Sequence, residues 1–140
     1  MSTIGAIQTY LAGYSQLKTG APVWVDYLGP GATEYSVVAL PGQRIAATYL
    51  DGTTIREFPF AFQSVESTAD DPERLANIGF FEAFADWLET QTEAGVLPSL
   101  GAKQTAEKVE ATLGGYLMQV GESATGIYQI SCKLTYEQQP

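Results

Sequence analysis

From Ile127 to Tyr136 the chain alternates almost perfectly. Tyr128, Ile130, Cys132, Leu134 and Tyr136 point one way, and Gln129, Ser131, Lys133 and Thr135 point the other. Period-two alternation of this length marks a half-buried antiparallel strand, and it points to a domain built around a sheet.

Further strands are read upstream. Val23–Leu28, Tyr35–Leu40, Arg44–Leu50 and Thr54–Ser67 are separated by Gly29-Pro30-Gly31, Pro41-Gly42 and Asp51-Gly52, the last a hairpin turn whose residues tolerate positive φ. Phe58, Phe60 and Phe62 share one face of the Thr54–Ser67 strand. Pro59 between them has no N–H for a ladder, which places that strand at an edge or gives it a bulge. Another strand is expected over 105–113, bent at Gly114-Gly115 and continuing to Val120. Residues 103–108 also fit a helical turn.

Two helices complete the pattern. Ile4, Ile7, Leu11, Tyr14 and Leu17 form one stripe over 3–18, capped by Ser2 or Thr3 and stopped by Gly20 and Pro22. The second spans 72–94. Asp70 or Asp71 caps it, Pro72 suits its first turn and Gly95 its C-terminal stop. The expectation is a single domain over 1–140, of α/β composition in the α+β arrangement. Its sheet is mostly antiparallel, with two main helices packed on one face.

Composition narrows the chemistry. The chain has no histidine, so a His-based triad, an imidazole base and a His metal ligand are excluded. A single cysteine, Cys132, rules out an intramolecular disulfide and a multi-Cys zinc site; on the apolar face of a strand it reads as a buried small hydrophobe in a reducing compartment. The net charge of −9 and the scattering of the seven basic residues argue against nucleic-acid binding. No signal peptide or membrane span is read. Asp70-Asp71 is more simply a helix cap than a metal or acid–base pair. The glycines match no phosphate-binding fingerprint. The expectation is no catalytic residue, no metal, no cofactor and no enzymatic activity.

The long helix carries two features beyond a cap. Glu82, Asp86, Glu89 and Glu93 follow at spacings of four, three and four, so they share one face. That face is either solvated or a docking face for a basic partner. Leu75, Ile78, Phe81, Ala85 and Leu88 form one apolar stripe, and Phe80, Phe84 and Trp87 a second. A helix lying on a sheet needs a single apolar arc little over 100° wide. Either this helix is wedged between the sheet and the first helix, or one stripe meets another subunit. The candidate interface residues are Phe80, Phe84, Trp87, Glu82, Asp86, Glu89 and Glu93. Eight tyrosines agree with an interface, since buried Tyr needs a polar partner.

Arg74-Leu-Ala-Asn77, Phe81-x-x-Phe84-x-x-Trp87, Gly115-Tyr-Leu117 and Tyr128–Tyr136, in this order of helix, strands, long helix and closing strands, carry a resemblance. The chain resembles, over nearly its whole length, the small tail proteins of long-tailed bacteriophages often labelled minor capsid protein, and by architecture the tail terminator (tail completion) proteins. The resemblance implies an α/β sandwich that assembles as a hexameric ring, caps the tail tube and presents a surface to the head connector. It implies a virion location at the head–tail junction after assembly in the bacterial cytoplasm. Its partners would be further copies of itself, the major tail tube protein and the connector. The family has no catalytic residues to carry over. Gly29–Glu34 and Gly121–Gly126 are the loops expected to order on docking. The rival readings are a small-ligand-binding α+β domain and an acidic inhibitor protein.

Overall fold

The structure, a computed structural model, describes residues 2–28, 34–120 and 124–140. In chain order it contains α1 (Thr3–Leu11), β1 (Val23–Val25), β2 (Glu34–Ala39), β3 (Arg44–Thr48), β4 (Thr54–Ser67), α2 (Asp71–Ala94), β5 (Gln104–Val120) and β6 (Thr125–Gln138). One sheet runs β1-β2-β4-β6-β5, with β3 also paired to β4. Among the described residues only β1–β2 is parallel, and every other pairing is antiparallel. This is the α+β fold expected. The two docking loops of the sequence reading fall largely outside the described residues.

The β4–β6 ladder is the spine, pairing Thr54 with Gln138 at one end and Ser67 with Thr125 at the other without a register shift. The alternation on β6 is matched by Phe58, Phe60 and Phe62 on β4, opposite Leu134, Cys132 and Ile130. Ile7, Leu11 and Tyr14 from the α1 side and Phe81, Phe84 and Leu88 of α2 close over these rows, so both helices lie on one face. The opposite face carries Glu57, Gln63, Gln129 and Lys133.

Pro59 lies in neither an edge strand nor a bulge. The strand β4 is flanked by β6 throughout, while its other side is shared end to end by β2, which pairs up to Phe60, and β3, which pairs from Glu57. Pro59 falls in the gap between them. Its carbonyl accepts from the Leu40 N–H (3.0 Å) on that side. An extended residue aims its N and O at the same edge, so the missing N–H costs no bond to β6.

Helix α2 starts and stops as its caps dictate. The Asp70 side chain accepts from the Glu73 N–H at 2.9 Å, and Gly95 takes φ 74 with Val96 N–H returning to the Gln91 carbonyl. The first helix is shorter than its stripe. After Leu11 the chain continues in turns, with Gly13 N–H to the Tyr10 carbonyl and Tyr14 N–H to the Leu11 carbonyl. These turns still deliver Tyr14 to the core; glycine at position 13 disfavours a helix by about 1 kcal/mol. The hairpin turn after β3 is a three-residue loop, Leu50-Asp51-Gly52. Tyr49 N–H bonds the Thr53 carbonyl at 2.8 Å, and Gly52 takes φ 92. Residues 104–120 are all strand, which resolves 103–108 against a helical turn.

Candidate interaction surfaces

The second apolar stripe of α2 is not an exposed interface. Phe84 is completely buried, and Phe80 and Trp87 are half-buried, because the α1 side of the molecule lies over them. Tyr14 meets Trp87 at 4.8 Å and Phe84 at 5.4 Å between ring centroids, Tyr10 meets Trp87 at 5.3 Å, and Tyr35 stacks on Phe80 at 5.9 Å. The stripe is the seam between two helical elements. The seam also employs the tyrosines. Tyr10 donates to the Val96 carbonyl at 2.8 Å, with burial pushing its hydroxyl up to about 12. Tyr35 accepts from the Lys18 N–H at 3.0 Å.

The apolar residues that α2 does leave exposed belong to the other stripe. Leu75 and Ile78 stand out from the N-terminal half of the helix. With Leu117 and Tyr128 they line a cleft of about 400 Å³, with Asp71 and Arg74 at its rim. The helix runs past the end of its own cover there. Its C-terminal half, by contrast, lies along β5, where Thr92 clamps the strand: its hydroxyl donates to the Val109 carbonyl at 2.9 Å and accepts from the Val109 N–H at 3.1 Å. Both groups face away from β6, so Thr92 closes that stretch of the sheet edge.

The acidic stripe is exposed as a unit. None of Glu82, Asp86, Glu89 and Glu93 makes an ion pair among the described residues. Asp86, Glu89 and Glu93 form one wall of a surface cleft of about 480 Å³, whose other wall is Lys108–Ala111 of β5. The carboxylates at the start of α2 are used locally. Asp70 caps the helix, Asp71 pairs with Arg74, and Glu73 accepts from the Ser67 hydroxyl.

On the face away from the helices, charges alternate across four strands. Arg44 of β3 pairs with Glu57 of β4, Lys133 of β6 bonds Glu57 at 2.9 Å and reaches Glu110 of β5 at 3.5 Å, and Lys108 lies 3.7 Å from Glu110. The hydrogen bonds from Arg44 and Lys133 hold the Glu57 carboxyl below the usual glutamate range. A carboxylate with a lowered folded pKa adds stability above its unfolded value, about 4.3, and that stability is lost as pH falls through the folded value. The urea midpoint of Glu57→Gln is therefore expected to fall less between about pH 6 and pH 3 than that of the parent. Parallel pH profiles would mean that the network does not hold β3.

Cys132 lies opposite Phe60 and Ala111, almost wholly buried, and burial pushes its thiol up. Its thiol reaches the Ile130 carbonyl at 4.0 Å. Cys132→Ser is expected to cost about 1–3 kcal/mol in denaturant unfolding, the cost of a buried hydroxyl without a partner. The native thiol should react with a labelling reagent no faster than the protein opens; rapid labelling would refute its burial.

Apart from Val96 after α2, the remaining exposed apolar side chains fall in two groups, and of these the sequence reading quoted only Tyr116 and Leu117 in a motif. Leu113, Tyr116, Leu117, Met118 and Val120 project from the distal half of β5. Trp24, Tyr27, Ile45, Tyr49 and Leu50 project from β1, β3 and the loops just beyond them, Leu50 with a relative exposure of 109%. Alternation along β5 could have signalled this only if its register shifts at Ala111/Leu113, Leu113/Tyr116 and Leu117/Gln119 had been known, because each changes which face a side chain takes. No protein-family model matches the chain, and no curated protein matches it. Among its described residues no helix is long and apolar enough to cross a membrane.

Proposed function

We propose that this protein is a non-enzymatic assembly subunit of a bacteriophage virion, of the tail terminator or minor capsid type. It would form a ring that caps the tail tube and joins it to the head connector. The observation that supports this best is the distribution of apolar surface. Large apolar side chains gather at the margins of the sheet, where neighbouring subunits would meet, while the aromatic residues of α2 are consumed inside the protomer. Contiguous exposed apolar patches mark protein contacts. The exposed row Glu82, Asp86, Glu89 and Glu93 gives a separate surface, suited to a basic patch on the tube or the connector.

The test is co-sedimentation of the purified protein with assembled tail tubes, with mass measurement of the protein alone and in the mixture. The expected result is stoichiometric binding at tube ends. Replacing Glu82, Asp86 and Glu89 by Lys together should abolish attachment to one of the two partners and leave the fold intact, since all three are solvated. A protein that ignores both tubes and connectors would sink the proposal. Unchanged attachment by the charge-reversed protein would remove the acidic row as a docking surface.

A further inference from the structure

Where α2 overruns its cover, Leu75 and Ile78 of the helix, Leu117 of β5 and Tyr128 of β6 enclose the cleft of about 400 Å³. The strand register sets this hollow apart from other exposed apolar side chains of β5. Leu117 lies opposite Tyr128, on the helix face, whereas Leu113 and Tyr116 lie opposite Ser131 and Gln129, on the face away from the helices. Six residues line the cleft, against the roughly 20–30 per side of a stable protein contact. Its volume falls within the roughly 300–1,000 Å³ of small-ligand sites, which are mostly apolar with a few placed polar groups.

Tyr128 supplies the placed polar group. It is only 2% exposed, and its ring stacks on Phe81 at 6.3 Å between centroids. Its hydroxyl has no hydrogen-bond partner among the described residues. The unpartnered side-chain oxygens sealed from solvent among those residues are Ser64 Oγ and Thr135 Oγ1. The Tyr128 oxygen is not one of them, so it opens onto the cleft that its residue lines. Phenylalanine would stack on Phe81 equally well, and the hydroxyl adds only a polar tip to an aliphatic hollow. A buried tyrosine usually finds a polar partner, as Tyr10 does in the Val96 carbonyl and Tyr35 in the Lys18 N–H.

The rim decides the charge of the occupant. Among the described residues that line the cleft, only Asp71 and Arg74 are charged, and they pair with each other. Arg74 also donates from Nη1 to the Thr68 carbonyl at 2.6 Å, so its guanidinium is held from both sides. A charged ligand would find no free counter-charge there, and its desolvation against Leu75, Ile78 and Leu117 would go uncompensated. An uncharged ligand meets no such cost.

We propose that this cleft binds a small uncharged ligand, an aromatic or branched aliphatic body carrying one carbonyl or hydroxyl oxygen. The body lies between Leu75, Ile78 and Leu117, and the oxygen bonds the Tyr128 hydroxyl. A ligand of about ten heavy atoms on so open a cleft binds with a Kd of about 1 mM. The proposal is independent of the assembly reading, because it uses neither the acidic row nor the margins of the sheet.

The experiment titrates the isotope-labelled full chain by NMR with three probes: acetophenone, ethylbenzene as its counterpart without the oxygen, and benzoate as a charged counterpart. Acetophenone should give saturable shifts centred on Leu75, Ile78, Leu117 and Tyr128, and benzoate should bind at least about tenfold more weakly. Tyr128→Phe keeps the ring and deletes the oxygen. It should weaken acetophenone about three- to tenfold, the effect of one lost neutral hydrogen bond, and leave ethylbenzene unchanged. Ile78→Glu, at an exposed position, should weaken both neutral probes by about tenfold or more, and it keeps the test open if Tyr128→Phe fails to fold. Melting curves verify that the variants fold. The absence of saturable shifts with either neutral probe up to about 10 mM overturns the proposal. Binding that Ile78→Glu leaves unchanged, or shifts spread over both faces of the sheet, places the probes elsewhere and overturns it too. Acetophenone held equally by the parent and Tyr128→Phe, or benzoate held as tightly as acetophenone, refutes the ligand class.

Discussion

Phe84→Ala is expected to lower the unfolding free energy by about 3–5 kcal/mol, the range for removing a buried aromatic side chain from a core. Phe84 is where three parts of the molecule meet. It stacks on Phe62 of β4 at 4.7 Å, meets Tyr14 edge-on at 5.4 Å, and touches Trp87 of its own helix at 5.9 Å, all centroid distances. Removing it separates the sheet, the turns after α1 and the C-terminal half of α2 at one point. For a domain with about 5–15 kcal/mol in total, that is a large fraction. Trp87→Ala should cost less, because Trp87 is only half-buried, but it should act in the same direction and lower the melting temperature. The check is chemical denaturation of both variants. A Trp87→Ala protein of undiminished stability that fails to assemble would restore Trp87 as an interface residue and contradict the seam described above.

Gly115→Ala is expected to be nearly as damaging, by about 3 kcal/mol, at the upper end for overpacking. A Cβ built on Gly115 would lie 2.3 Å from the Cβ and 2.7 Å from the Cγ of Phe81. The first of these atoms is fixed to the backbone of α2, so no rotamer change relieves the clash. Either the helix lifts or β5 bends outward. The neighbouring residue is the control. Gly114 has no atom within 4 Å of its built Cβ, and Gly114→Ala should stay within about 0.5 kcal/mol of the parent. Denaturant midpoints for the pair decide the matter. Equal midpoints would mean that α2 does not sit against β5 at Gly115.

Most of the architecture is legible in the sequence, while what covers the apolar arc of α2 is not. The ten-residue alternation, the three phenylalanines of β4 and the Asp70, Pro72 and Gly95 punctuation of α2 are local signals, and local signals survive folding. The apolar arc of α2 was too wide for one contact, and the wheel could not say what covers it. Coverage depends on where the helix crosses the sheet and where the chain after α1 runs. Those distances span far more sequence than any periodicity, so the sequence leaves open whether Phe80, Phe84 and Trp87 are wedged under the first helix or meet another subunit, and the structure shows the wedge. Pro59 misled for a similar reason. A proline excludes itself from a ladder, and the sequence could not reveal that two different strands share one side of β4 with a gap at that residue. The acidic row was the candidate surface placed correctly as exposed, because four carboxylates on one helical face have nowhere else to go without cations.

Thr92 has a consequence for motion as well as for pairing. The Val109 amide points off the outer rim of the sheet, where solvent deuterium would reach it at once if it were bare. Its protection comes from one hydroxyl carried by a different element, so it exchanges only when the last turns of α2 swing away from β5. The exchange rate of that single amide therefore reports how often helix and strand part company, independently of whether the rest of the sheet ever opens.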